Sequence, residues 1–574
     1  MPGPVGQWNP DGRHAFRLEN VTVRSAVGEN GPAADPVVGL RLATRGLVPA
    51  KLVDLDTDQQ LVSEIFGLVL ALVDAAGLVL VEGAMRPAAF TDIWRRGPVV
   101  SDESASATYQ STLDDVRWGD VSSSPLLTRL RDATGGGPLS IKFDLDGYSM
   151  QRTVNGAPNP RFTRGRIAGT LGPAADGEPR HTVLGRQFGS EQHRPGAAAP
   201  GFRPDGGVNY FPGVVDPAAR KVCLDLGNAL PVATAGGAPQ DLGELVLVCR
   251  AADGTEHDIG AVGYRAPGWY ETTAGVVDLP PDRELSDDEL TQVAAGRLVL
   301  VARPAGPQRT LSEEAPDHVR ADTFVARLDP GDQWVVRLHV TRRGEPVAGA
   351  RVNLVLLRPP GAPQFPVHGL TFPASVTTDP GGVAEATLTA ADPGDPRFFY
   401  TTSPNRRVHV DGQVYRVGYE VDGAGQPNPS SFLSVLVWNA FVPDDPPTWH
   451  GSMRRLLAQY GDLYPWMTRF GPQLDMAEYE HIAAQREAIV DVLGRDVTDP
   501  RYMPVSRDMS GSRRKAVLTW LTNLGPDGRP LLGAPPVPAP RPPAPPVAAA
   551  PEALVPEEAG GKTAAAARLR IAPR

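Results

Sequence analysis

Gln333-Trp-Val-Val-Arg-Leu-His-Val340 alternates apolar and polar side chains, Gly344-Glu-Pro-Val-Ala-Gly349 supplies a turn, and Ala350-Arg-Val-Asn-Leu-Val-Leu356 alternates again. A period of two puts one face of each run in a core and the other in water, the signature of paired strands. Further on, Thr378-Asp-Pro-Gly-Gly-Val-Ala-Glu-Ala-Thr-Leu388 gives a tight acidic-Gly turn leading into another alternating run. The pattern extends upstream through Arg17-Leu-Glu-Asn-Val-Thr-Val-Arg24, Leu139-Ser-Ile-Lys-Phe-Asp144, Val222-Cys-Leu-Asp-Leu226 and Glu244-Leu-Val-Leu-Val-Cys249. Gly (61) and Pro (60) supply the punctuation that many short strands need. The class is therefore mainly β and multidomain, with sandwich or barrel domains.

The run from 321 to 425 resembles the repeated Ig-like modules of bacterial surface and adhesin proteins, whose successive strands carry similar turn signals. Before it, crowded turn residues near 204–217 divide a β-rich region into an N-terminal domain over 1–203 and a second over 204–320. Short helices are predicted at 124–133 and 286–295, the second opened by Ser286 and Glu289 at capping-box spacing. After Asn439 the period lengthens to that of a helix, and 426–530 reads as a small helical subdomain. Its helices are predicted over 453–470, with a bend or stop at Pro465, over 476–493, and over 513–524. The Pro- and Ala-rich remainder, 531–574, reads as an extended, disordered tail without core-forming residues.

The 574 residues carry a formal charge of -10, and only two cysteines, Cys223 and Cys249. Such a surface is a poor partner for nucleic acid, and two thiols cannot build a disulfide scaffold or a four-Cys zinc site. The apolar stretch 65–81 is broken by Asp74 and Gly77 and flanked by Glu64 and Glu82, so it reads as a hairpin and no membrane insertion is expected. With no apolar signal segment at the start, the expected compartment is the cytoplasm.

Chemistry-bearing patterns are sparse. There is no nucleophile elbow, zincin helix or dinucleotide-binding glycine motif. Glu478-Tyr-Glu-His481 has the spacing used by di-iron carboxylate bundles, yet one such pair is only half of one wall of that site. Asp475 and Glu478 also have capping-box spacing. Glu478 and His481 are thus the candidate metal ligands of a chain in which no metal or cofactor is expected. Asp54-Leu-Asp56-Thr-Asp58 resembles the first half of a calcium loop but lacks the turn Gly and the distal Glu.

Several segments in order resemble the non-ferritin portion of the imine dimer synthases of bisindole pathways, the VioB and chromopyrrolic acid synthase family. They are Asn9-Pro-Asp-Gly-Arg-His14, Pro49-Ala-Lys-Leu-Val-Asp-Leu-Asp56 with Gln59-Gln-Leu-Val-Ser-Glu64, Lys221-Val-Cys-Leu-Asp-Leu-Gly-Asn-Ala-Leu-Pro231, Trp269-Tyr270, Tyr460-Gly-Asp-Leu-Tyr-Pro-Trp-Met467 and Tyr502-Met-Pro-Val-Ser-Arg-Asp-Met-Ser510. In that family a Pro-rich linker leads into a ferritin-like, metal-binding domain to which the coupling chemistry is attributed, whereas this sequence ends at the linker. The resemblance implies a non-catalytic scaffold or accessory protein that docks a separately encoded ferritin-like or other redox partner. Tyr460, Tyr464, Trp466 and Tyr502 are the candidate docking aromatics. A stand-alone enzyme of specialised metabolism is the alternative, with His14, Asp54, Asp56, Glu64 and Trp269 as candidate pocket groups. An Ig-like binding or surface module is a third reading.

Overall fold

The computed structural model describes residues 14–28, 31–56, 62–98, 102–149, 151–175, 177–190, 207–358, 365–400, 407–424, 431–464 and 474–535. The architecture is mostly β, as the alternating patterns predict. In the N-terminal region a four-stranded sheet, Ala15–Phe16, Ala50–Asp54, Ser63–Phe66 and Ala88–Ala89, lies with an eight-stranded antiparallel sheet. Both contribute to one core that includes Ala50, Ile65, Leu70, Tyr109, Ile141 and Phe143. The expected hairpin forms at 74–78: Val69–Val73 pairs with Val79–Met85, and Gly77 adopts φ 85°, which a residue with a Cβ adopts only under strain. Ser124 caps the helix Pro125–Thr134 by accepting from the Leu127 amide.

A second eight-stranded sheet runs from Glu256–Val262 at one end to Val276–Leu279 at the other. It includes Arg186–Ser190, on the N-terminal side of the expected boundary. The two end strands approach each other at Gly260, where a Cβ would lie 2.9 Å from the Pro280 Cα, so the sheet curls towards closure around Phe188, Leu224, Leu247 and Leu300. Cys223 and Cys249 sit on strands that are not paired with each other, and both thiols are free, with pKa raised by burial. The helix Asp287–Ala295 closes one side with the predicted capping box, complete in both directions.

The quoted run at 333–356 forms the strands Gln333–Arg342 and Arg351–Leu357, which fall in two different five-stranded sheets sharing one core. Val336, Leu338 and Val340 point into that core, as the period of two requires. Val325–Leu328 pairs in parallel with Phe432–Val437, and the other pairings in these sheets are antiparallel.

The helical subdomain differs in detail from the predicted helices. Helix Arg454–Leu463 follows a π-helical turn, Trp449–Met453, and Pro465 lies outside the described residues. The single helix predicted over 476–493 is two, Tyr479–Ala484 and Arg486–Gly494, broken at Gln485, whose φ of -102° leaves the helical region. Gly511–Thr522 is the third predicted helix, capped by Ser510. Its Trp520 stacks on Trp449 at 5.7 Å in a core that also takes Val408 and Val410 from the neighbouring β unit. Among the described residues no helix is long and apolar enough to cross a membrane.

Candidate functional site

The structure brings four of the five expected pocket residues into the N-terminal region and assigns each a local role. His14 precedes the strand Ala15–Phe16, and its carbonyl accepts from the Leu52 amide at 2.8 Å. Burial holds its imidazole below the usual range, against the opposing pull of Asp54. Asp54 accepts from the Ser63 hydroxyl. Asp56 forms an ion pair with Arg397 and Glu64 with Arg327, both reaching across to the β unit that begins with the strand His318–Ala321. Trp269 lies elsewhere, in the second core against Tyr264 and Tyr270. Asp56 and Glu64 are therefore anchors between units while Asp54 serves its own unit, and Asp58 lies outside the described residues.

Of the expected docking aromatics, Tyr460 and Tyr502 are buried and Tyr464 is half-buried. Tyr460 and Tyr502 are 1% and 3% exposed, so neither ring is available to a partner. The Tyr460 hydroxyl donates to the Asp508 carbonyl, and Tyr464 donates to the Asp508 carboxylate at 2.6 Å. Tyr502 lies under the guanidinium groups of Arg507 and Arg514. Trp466 lies outside the described residues. Glu478 and His481 are exposed, and His481 Nδ1 accepts from the Asp475 amide. Glu478 starts the helix without a side-chain cap, so the capping box predicted with Asp475 does not form. Among the described residues no cluster of three or more His, Cys, Asp or Glu is placed to hold a metal.

The strongest concentration of buried polar groups lies instead where three β units meet. Strand Thr91–Arg95 pairs with Ala105–Trp118, and the register shifts between Thr91 and Trp94. At this bulge Asp92 has φ 55°, an unusual conformation that re-aims its side chain. The Asp92 carbonyl accepts from the side-chain amides of Asn209 at 3.1 Å and Asn228 at 2.9 Å, both from the second unit. Its carboxylate faces Arg320 of the third unit at 3.3 Å. Arg320 also donates to Thr182 and Ser431 and lies 5.2 Å from the centre of the Tyr210 ring. Burial is the largest influence and opposes the Arg320 charge, but Asp92, Tyr210 and Tyr419 together outweigh it and hold the guanidinium protonated. Nearby, Lys142 Nζ bridges Asp144 at 2.6 Å and Asp225 at 2.9 Å, joining the first unit to the second. Burial likewise works against the ammonium, and the two carboxylates raise its pKa overall.

Two adjoining cavities share Thr91, Asp92, His181, Thr182 and Arg320. One is polar, with Lys142, Gln187, Tyr210 and Asn228 in its wall, and the other adds Phe90, Phe324 and Phe432. The free space is ≈ 30 Å³ and ≈ 40 Å³, room for about two to three waters in each. His181 Nδ1 donates to the Gln110 carbonyl at 3.0 Å, leaving Nε2 as an acceptor, and burial keeps the ring neutral. The cations are protonated and paired with carboxylates, so the junction's chemistry is to clamp three units together. Neither Lys142 nor Arg320 is poised as a base or nucleophile. Sequence patterns missed these residues because their partners are distant in the chain, as far as 228 residues for Arg320 and Asp92. The one local signal was Asp92 itself, a charged residue between the apolar Ala88-Ala-Phe90 and Ile93-Trp94.

No family model matches the chain. Among solved structures it is similar to the D00-D0 domain of intimin (13% identity over 25% of this chain and 64% of that one, TM-score 0.14). Domains 4 and 5 of the S-layer protein SbsC give 10% identity over 34% of this chain and 98% of that one, with TM-score 0.14. The chain is 24% identical over 435 residues to dichlorochromopyrrolate synthase of Lentzea aerocolonigenes, a match covering 71% of this chain and 39% of that protein. It thus spans well under half the length of that synthase, to which it is distantly related.

Proposed function

We propose that the chain is a non-catalytic scaffold, resembling the non-ferritin half of imine dimer synthases, that docks a separately encoded ferritin-like or other redox partner in the cytoplasm. The observation that carries this reading is the extent of the match, which covers most of this chain and a minor part of the synthase. The charge pairs Lys142–Asp225 and Arg320–Asp92 between units support it, because they suit a platform that holds its shape. In this reading the two five-stranded sheets are the Ig-like module. The test mixes the purified full chain with the iron-loaded ferritin-like domain of a synthase of this family and follows complex formation by sedimentation and product formation by mass spectrometry. A stable complex, with turnover only when both components are present, is the expected result. Turnover by the chain alone, lost in an Asp92→Asn variant, would overturn the proposal in favour of a stand-alone enzyme. The specific observation behind that second reading is the paired cavity around Asp92, Arg320 and His181.

A further inference from the structure

Strand Arg166–Pro173 ends the first eight-stranded sheet. It pairs along all eight residues with Leu139–Asp146; Arg166 and Ala168 pack against the second unit, and Gly169, Thr170 and Leu171 are exposed. Natural sheets blunt such edges with charge, a mid-strand proline or very short length. Here Ile167-Ala-Gly-Thr-Leu-Gly172 carries no charge, and the only proline stands at the end.

The register states what the edge offers. Residues paired across a ladder share a face, so Ile167 and Leu171, opposite Leu145 and Ile141, lie on the face that builds the N-terminal core. Ile167 is half-buried there and Leu171 is 37% exposed, at an open margin of the core. A Cβ at Gly169 would come within 2.1 Å of the Lys142 carbonyl oxygen, so this position accepts only glycine. A two-fold axis through Gly169, perpendicular to the sheet, pairs the strand antiparallel with its own copy. Ile167 then stands opposite Leu171 of the second chain, twice over, on the core face, and Ala168 opposite Thr170 on the other. Arg166 meets Gly172, so no like charges oppose each other. A self-complementary patch of this kind is what an isologous interface requires.

We propose that the chain forms a two-fold homodimer by antiparallel pairing of this edge strand with its copy over residues 166–172, joining the two sheets into one.

Sedimentation velocity of the full chain over a range of concentrations should show a monomer–dimer equilibrium. Leu171→Lys, which puts a charge opposite Ile167, should raise the dimer Kd at least tenfold with the melting temperature unchanged. A chain that stays monomeric up to 100 μM overturns the proposal, as does a dimer indifferent to Leu171→Lys. If that variant fails to fold, hydrogen exchange of the unmodified chain decides. The alternate amides of 167–172 that point away from Leu139–Asp146 should become protected as concentration rises, and equal exchange at low and high concentration overturns the pairing.

Discussion

Arg320 and Asp92 place opposite charges out of water, and the cost of removing one partner exceeds the worth of the pair. An uncompensated buried charge typically destabilises by about 3–5 kcal/mol. Arg320→Leu should lower the stability of the cooperative unfolding transition by that order, measured by chemical denaturation. Adding Asp92→Asn should restore part of the loss, because the orphaned carboxylate is gone. Equal losses in the single and double variants would show that Arg320 acts through packing on Tyr210 and not through charge. Gly227 sits beside the second charge cluster: a Cβ there would lie 2.2 Å from Asp144 Oδ2 and 2.6 Å from the Ala274 carbonyl. Gly227→Ala should therefore destabilise the chain, with a lowered melting temperature as the readout, by displacing the carboxylate that Lys142 needs. Neither position was legible in the sequence. Asp56 and Glu64 stand out because they lie in one short acidic region, and the structure uses them to anchor Arg397 and Arg327.

Strands were the legible elements, because a period of two reports burial directly. Gln333–Arg342 and the hairpin at Gly77 follow from alternation and turn chemistry alone. Capping spacing was a good guide at Ser286 and a poor one at Asp475, where the Asp475 carboxylate turns to the Ala477 amide and its own amide to His481. Ser286→Ala should cost about 1 kcal/mol, measured as a shift in unfolding midpoint. No shift would mean that Arg283, which also binds Glu289, holds the helix end without the serine. The helix Gly511–Thr522 is fastened to the β unit by Arg513 on Asp411 at 2.5 Å. Burial pushes the carboxyls of Asp411 and Asp508 up to about 6, with Arg513 pulling Asp411 down and Tyr464 and Ser506 pulling Asp508 down. Asp329 and Asp508 face Asp411, and Asp56 faces Asp508. A carboxyl that binds its proton more tightly folded than unfolded stabilises the fold fully below the unfolded value of 3.8 and loses that contribution as pH rises through 6. These two groups should make the helical subdomain less stable at pH 7.5 than at pH 5.5. Comparing melting curves at the two pH values with those of Asp508→Asn checks this, since the variant should show a smaller difference. An unchanged slope would remove Asp508 from the account.

Units joined by ordinary polar interfaces are expected to move and unfold separately, and the contacts at this molecule's junctions argue the other way. Asn228 takes the Trp94 indole N–H at 3.0 Å and the Ser106 hydroxyl at 2.6 Å on its amide oxygen, and its Nδ2 donates to the Asp92 carbonyl. Arg96, 1% exposed, donates to Asp146 within its own unit and to the Leu230 carbonyl and Tyr270 hydroxyl in the next. With Arg166 it encloses the Tyr270 ring at 4.7 Å and 4.3 Å. Lys142 between Asp144 and Asp225 completes the seam. The pairs that cross the seam, Arg96 to Leu230 and Tyr270, Asn228 to Trp94, Ser106 and Asp92, and Lys142 to Asp225, exist only while both units are docked, so opening it leaves several groups unpaired at once. The first two units should therefore melt together. Lys142→Met removes the cation from between two carboxylates, and the repulsion left behind favours separation over local rearrangement. Calorimetry of the full chain should resolve one transition for these units in the unmodified protein and an additional, lower-temperature one in Lys142→Met. A single transition at an unchanged temperature in the variant would mean that apolar packing alone holds the units, and the charge seam would then be a consequence of docking and not its cause.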